Sequence, residues 1–254
     1  MQDKFAVESH QKAARSQKEG WSSKEITVYK TMIKDKDGNE KEILVDRDDG
    51  VRVETTMESL GKLKPAFKKD GTTTAGNSSQ VTDGAAAVLL ARRDVAKKLG
   101  LKIYGRIVSF AVAGVPPEIM GVGPAYAIPA ALKKAGLEVK DIDVFEINEA
   151  FASQALYSIE KCGIPKEKVN PRGGAIALGH PLGMTGARQV TTLFHELERT
   201  GKKFGVISMC IGTGMGAAGV FEREWEYDWI ITYYIKILVN HILIKYVYIT
   251  NNIE

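Results

Sequence analysis

Cysteine is almost missing from this chain of 254 residues: there are two, Cys162 and Cys210, far apart. So few exclude a disulfide framework and point to a reducing compartment. Histidine is nearly as scarce, with four, and no His or Cys pair has ligand spacing, so no metal site is expected. Excess charge of one sign is also lacking. The 35 Lys and Arg are interspersed with 31 Asp and Glu, for a net +4, which leaves no nucleic-acid footprint. The densest basic run, Lys62, Lys64, Lys68 and Lys69, reads as a solvated face. There is no internal repeat, and the charged, amphipathic start Met-Gln-Asp-Lys-Phe is no signal peptide. Gly, Pro and Ala are absent from 229–249, a run of Ile, Tyr, Leu and Val. That run is long enough to span a bilayer, but Lys236 and Lys245 argue against a span. It does not continue the pattern before it, and residues 223–254 read as an added apolar tail.

Glycine is plentiful, with 25 residues, and it gathers where the chemistry-bearing side chains stand. Residues 170–188 read N-P-R-G-G-A-I-A-L-G-H-P-L-G-M-T-G-A-R, and 204–220 read F-G-V-I-S-M-C-I-G-T-G-M-G-A-A-G-V. Glycine turns let backbone N–H groups approach a substrate. His180 precedes a helical pattern carrying Val190, Leu193, Phe194 and Leu197 on one face. A nearby helix N-terminus favours the neutral imidazole. Cys210 ends an apolar strand pattern and enters Gly212, Gly214 and Gly216. An imidazole and a thiol, both expected to titrate near neutrality, suggest acid–base work on a carbonyl compound.

In order along the chain, helix is predicted over 1–20, strand over 25–30, a turn at Asp37-Gly38, strand over 43–45 and helix over 55–63. The polar, small-residue loop 70–79 reads as functional. Ala85 to Ala91 reads as a strand packed on both sides, followed by a helix over 93–99. Then come strand 103–113, helix 124–135, strand 142–147, helix 149–162, a short strand 175–178, helix 185–200, and strands 204–209 and 216–222. This α/β order implies helices packed on a sheet, with ligands at the loops that follow the strands. Asn148, His180 and Cys210 fall on such loops.

The motifs resemble those of the thiolase family, in wording nearest its degradative peroxisomal 3-ketoacyl-CoA branch. The resemblance is carried by N-E-A-F-A at 148–152, G-G-A-I-A-L-G-H-P-L-G-M-T-G-A-R at 173–188, C-I-G-T-G-M-G at 210–216 and K-P-A-F-K-K-D-G-T-T-T-A-G-N-S-S-Q-V-T-D-G-A-A-A at 64–87. It covers nearly all of 1–222 and stops at the tail. It implies thiolytic cleavage of a 3-ketoacyl-CoA by CoA in fatty-acid β-oxidation, a peroxisomal address, a homodimer, and coenzyme A as co-substrate with no permanently bound cofactor. By resemblance Cys210 is the acid–base cysteine, His180 activates the nucleophile and donates to the thioester oxygen, Asn148 holds a water, and the Gly212 N–H serves an oxyanion. Arg52 would lie near the nucleotide end of CoA, and Phe67, Ala75, Ser79 and Phe151 along its pantetheine arm.

One departure counts against activity: no residue matches the family's nucleophilic cysteine. Cys162, in E-K-C-G at a helix end, reads as structural. The expected layout is part of a loop domain over 1–82, a remnant of the first thiolase half over 83–102, and the complete βαβαβαββ second half over 103–222. Such a chain would lack most of the dimer surface and expose a face meant for burial. The alternatives are a biosynthetic acetoacetyl-CoA thiolase and a non-catalytic CoA-ester-binding or subunit-assembly module. A ketoacyl synthase is disfavoured, because that relative uses two histidines with one cysteine. Gly212-x-Gly214-x-x-Ala217 matches a dinucleotide fingerprint only formally, since a strand pattern follows it.

Overall fold

The computed structural model describes residues 1–224; of the tail expected over 223–254, Arg223 belongs to the last strand, and residues from 225 onward lie outside the described residues. Helix α1 (Gln2–Lys18) comes first, with Phe5, Ala6 and Ala13 buried, and a left-handed Gly20 follows it. Strands β1 (Tyr29–Lys34) and β2 (Glu40–Val45) form an antiparallel hairpin around the Asp37-Gly38 turn. β1 starts four residues later than expected, because the pairing of Tyr29 with Val45 sets where the ladder begins. Helix α2 (Met57–Gly61) begins at a Thr56–Ser59 capping box and ends ahead of Pro65.

The run from Ala85 to Ala91 is not a strand. A strand needs a neighbour for its backbone N–H and C=O groups, and none of the described residues pairs with it. Leu89 and Leu90 are 79% and 70% exposed. The adjoining helix α3 (Arg93–Lys98) forms as expected.

The second half is built on one four-stranded mixed sheet. Strand β3 (Gly105–Gly114) leads into helix α4 (Pro124–Ala135), strand β4 (Val144–Ile147), helix α5 (Ala152–Lys161), the one-turn helix α6 (Ala175–Leu178), helix α7 (Thr185–Thr200), and strands β5 (Phe204–Ile211) and β6 (Met215–Arg223). The strand order is β3-β6-β5-β4, with β4 parallel to β5 and the other pairs antiparallel. Residues 175–178, expected as a strand, instead close one helical turn, with the Ala177 and Leu178 N–H groups both donating to the Gly174 carbonyl. Alanine favours that turn, and a buried carboxylate takes its free Ile176 N–H.

Helix α4 packs on one face of the sheet and α5 joins the same core around Ile128, Phe145, Ile147, Ile159 and Val206, with α1 laid against α5 and α6. Helix α7 covers the other face at β4 and β5, with Leu193 and Leu197 against Val144 and Phe221. Among the described residues no element covers the outer face of β3, where Ile107, Phe110 and Val112 are each more than half exposed.

Pro129 lies inside α4 and cannot donate to the Ala125 carbonyl one turn back. The Cys162 thiol supplies that hydrogen bond instead, at 3.5 Å. Burial pushes the Cys162 pKa up to about 11. Cys162 is therefore a packed, protonated thiol that takes the one α4 carbonyl left without its N–H by the proline.

Candidate active site

The site is assembled at the ends of β4 and β5. Their parallel register sets Ile147 beside Ser208, and the next residue, Asn148, donates its N–H to the Ser208 carbonyl at 2.9 Å. Gln154, one turn into α5, donates to the Asn148 carbonyl at 2.8 Å. Asn170 then clamps the strand end. Its Oδ1 accepts the Ile147 N–H and its Nδ2 donates to the Ile147 carbonyl, both at 2.8 Å. It holds this position with a left-handed φ of +42°, which asparagine tolerates better than most residues.

Glu149 ties three segments to that clamp. Its carboxylate accepts from Asn170 Nδ2 at 2.7 Å, from the Ser9 hydroxyl of α1 at 2.7 Å and from the Ile176 N–H of α6 at 3.2 Å. Burial raises its pKa, against the lowering effect of those donors. A side chain at Gly174 would strike this carboxylate, so glycine is required there by space. α6 therefore starts from a fixed point and delivers Gly179 and His180. Gly179 has a φ of +89°, and an added Cβ would stand 2.6 Å from the Thr82 hydroxyl.

His180 is almost fully buried, and its N–H donates to the Gln80 carbonyl at 2.8 Å. Both ring nitrogens are engaged, with Nε2 3.2 Å from Asn148 Nδ2 and Nδ1 2.6 Å from the Thr185 hydroxyl. Burial, and secondarily the Arg188 guanidinium, hold the imidazole pKa below its ordinary value. The neutral ring expected from the sequence is thus favoured, chiefly by desolvation. Asn148 Oδ1 has no partner among the described residues.

Cys210 is the penultimate residue of β5, paired with Gly216 of β6 and half-buried. Burial raises its pKa, so the expectation that it titrates near neutrality is corrected: it rests as the thiol. Gly212 lies in the following turn, where Thr213 has a φ of +72°, strained for a β-branched residue. The sheet brings Asn148 and Cys210 to the same end of adjacent strands, whereas Asn148 and His180 touch directly.

Four of the five expected CoA-contacting residues also come together. Phe67 meets Phe151 edge to face at 5.9 Å. Ser78 bridges to Phe151, and Ser79 donates through both N–H and hydroxyl to the Ala150 carbonyl. Ala75 lies in the short 3-10 turn just before. Phe67 is 74% exposed, so the aromatic pair faces solvent on one side. Arg52 is tied elsewhere, its N–H donating to His10 Nδ1 of α1 at 3.2 Å. Sequence reading missed Asn170, Glu149 and Gln154 as builders of the site. Only the Asn-Pro-Arg-Gly-Gly turn and the Glu next to Asn148 hinted at them. Among the described residues no cluster of His, Cys, Asp and Glu could hold a metal, and no helix is long and apolar enough to cross a membrane.

This fold and these motifs define a class. Residues 1–94 match the model of the thiolase N-terminal domain and 101–223 that of the thiolase C-terminal domain; the chain belongs to the thiolase family. Within it, the chain is 68% identical over 222 residues to rat peroxisomal 3-ketoacyl-CoA thiolase B, covering 87% of this chain and 52% of that protein. It is 66% identical to the human peroxisomal 3-ketoacyl-CoA thiolase, with 87% and 52% covered. Among solved structures it resembles the dimeric peroxisomal thiolase of Saccharomyces cerevisiae, with 59% identity, a TM-score of 0.78, and 88% and 54% covered. It also resembles human mitochondrial 3-ketoacyl-CoA thiolase in complex with CoA, with 43% identity, a TM-score of 0.78, and 88% and 54% covered. The chain spans about half the length of these relatives.

Proposed function

We propose that this chain carries the proton-transfer and oxyanion half of a thiolase site, serving thiolytic cleavage of 3-ketoacyl-CoA to acetyl-CoA and a shortened acyl-CoA in peroxisomal β-oxidation. The observation that carries the reading is the Asn148–His180 contact at 3.2 Å, set by sheet register beside the Cys210 strand end. In this reading the Cys210 thiol protonates the departing acetyl-CoA carbanion, and its thiolate then deprotonates the incoming CoA thiol. His180 is the base toward the nucleophilic thiol and, once protonated on Nε2, stabilises the enolate oxygen together with a water held by Asn148 Oδ1. The Gly212 N–H faces the acyl-enzyme oxyanion. The Phe67–Phe151 edge, with Ala75 and Ser79, receives the pantetheine arm, and Arg52 lies toward the nucleotide. Residues 1–82 act as part of the CoA-binding loop domain, 83–102 as a remnant of the first thiolase half and 103–222 as the complete second half.

The full cycle needs a second, nucleophilic thiol. Cys162 cannot supply it, because it is packed against the Ala125 carbonyl with a raised pKa. The chain alone is therefore expected to exchange the α-protons of acetyl-CoA with solvent while failing to thiolyse 3-ketoacyl-CoA. Deuterium uptake into acetyl-CoA, followed by NMR or mass spectrometry, tests this. Exchange abolished by Cys210→Ser supports the reading, and no exchange, or exchange indifferent to Cys210→Ser, overturns it. The identity to degradative thiolases, 66–68%, favours this over a biosynthetic role. The neighbouring structure of Bacillus anthracis acetyl-CoA acetyltransferase is 43% identical.

A further inference from the structure

We propose that Thr185 is a positioning residue that sets the tautomer of His180, holding the proton on Nδ1 and leaving the Nε2 lone pair facing Asn148. Thr185 opens α7, is about 1% exposed, and meets the ring through its hydroxyl. A hydroxyl has one proton to give. Thr185 Oγ1 lies 3.1 Å from the Pro181 carbonyl, one turn back, with donor geometry, and 2.6 Å from His180 Nδ1. With its proton committed to Pro181, the hydroxyl accepts from Nδ1–H. The far side of the ring agrees. Asn148 presents its amide nitrogen, which can only donate, to Nε2 at 3.2 Å, and in that orientation Nε2 is the acceptor.

The chain Asn148 → His180 → Thr185 → Pro181 thus runs in one direction. It presents an unprotonated Nε2, the atom a base must use. The same Nδ1–H···Oγ1 bond survives when Nε2 gains a proton, so Thr185 also supports the cation formed on proton transfer. Histidine free in water prefers the opposite tautomer, with the proton on Nε2. The assignment therefore departs from the default. It also deepens the reading of His180 as a base and, for its functional meaning, rests on it.

The test is the pair of imidazole 15N shifts in the 15N-histidine-labelled chain, measured at a pH above the ring's titration. The His180 signals are identified by their absence from a His180→Gln spectrum. The expected result is a pyrrole-type Nδ1 and a pyridine-type Nε2, kept in Thr185→Ser. In Thr185→Val the Nε2–H form should gain about tenfold, with Asn148 rotating its amide. A pyridine-type Nδ1 in the unmodified chain overturns the inference, whether or not the valine variant folds. So does an unchanged tautomer ratio in a folded Thr185→Val. The shifts report on the ring without turnover. An Nδ1–H ring in a chain that shows no proton exchange would leave this inference standing and sink the functional reading.

Discussion

Asn148 and Cys210 divide the proposed chemistry between a neutral dipole and a half-buried thiol. Asn148 Nδ2 meets the imidazole while Oδ1 has no partner among the described residues, so truncation removes both a ring contact and a water-holding acceptor. Asn148→Ala should slow α-proton exchange by about 10²-fold, the usual loss for one oxyanion-type donor, with the circular dichroism spectrum unchanged. Cys210 reads out differently, through pH. Burial raises its pKa, and the thiolate is the form that removes a proton from acetyl-CoA. The exchange rate should therefore climb with pH through neutrality and keep climbing past the ordinary thiol range. A plateau already reached at pH 7 would contradict that buried environment.

At the scale of elements, the end of β4 is held by a side chain in place of a neighbouring strand. Asn170 pairs with both backbone groups of Ile147 and also reaches Glu149. Removing it leaves a buried N–H, a buried carbonyl and a carboxylate short of partners, and puts alanine at a left-handed φ. Asn170→Ala should cost roughly 2–4 kcal/mol, read as a lower urea midpoint with the slope unchanged. Most helices and strands of this layer were legible in the chain itself. The apolar stripe of α7 and the runs of β4 and β5 carry their own period, and Gly136 and Gly201 close α4 and α7 in left-handed conformations. Ala175–Leu178 and Ala85–Ala91 were not legible. Four to seven small apolar residues suit a strand or a turn alike, and partners distant in sequence decide. For the first, Glu149 accepted an N–H; for the second, no described strand lay alongside.

Across the whole molecule, a band of buried charge lies against the sheet. Arg188 bonds Glu146 at 3.1 Å, and Arg172 bonds Glu196 at 2.9 Å and approaches Glu25 at 3.8 Å. Desolvation raises Glu146 to about 8, partly offset by Arg188, and the pKa values of Glu25 and Glu149 are also raised. A carboxyl with a folded pKa above its unfolded value of 4.5 binds its proton more tightly when folded. Its favourable contribution is full below that unfolded pKa and is lost as pH rises through about 8. Unfolding free energy should therefore fall between pH 5 and pH 9, and Glu146→Gln should flatten that fall. Urea titrations across this range check it, and parallel curves for the two chains would refute it. The buried histidines act in the opposite sense at lower pH, since the pKa values of His10 and His180 are lowered.

The amino-acid order by itself determined the α/β layer, the glycine turns around His180 and Cys210, and the family, because periodicity, caps and short motifs are local and survive being read in one dimension. The tertiary structure alone decided which nitrogen of His180 meets which partner, that Asn170 and Glu149 build the floor beneath it, and that Cys210 rests protonated. Those outcomes depend on groups up to 165 residues apart, such as Ser9 and Gly174, and on the exclusion of water. Burial and hydrogen-bond direction are properties of the packed arrangement, which no single stretch of sequence contains.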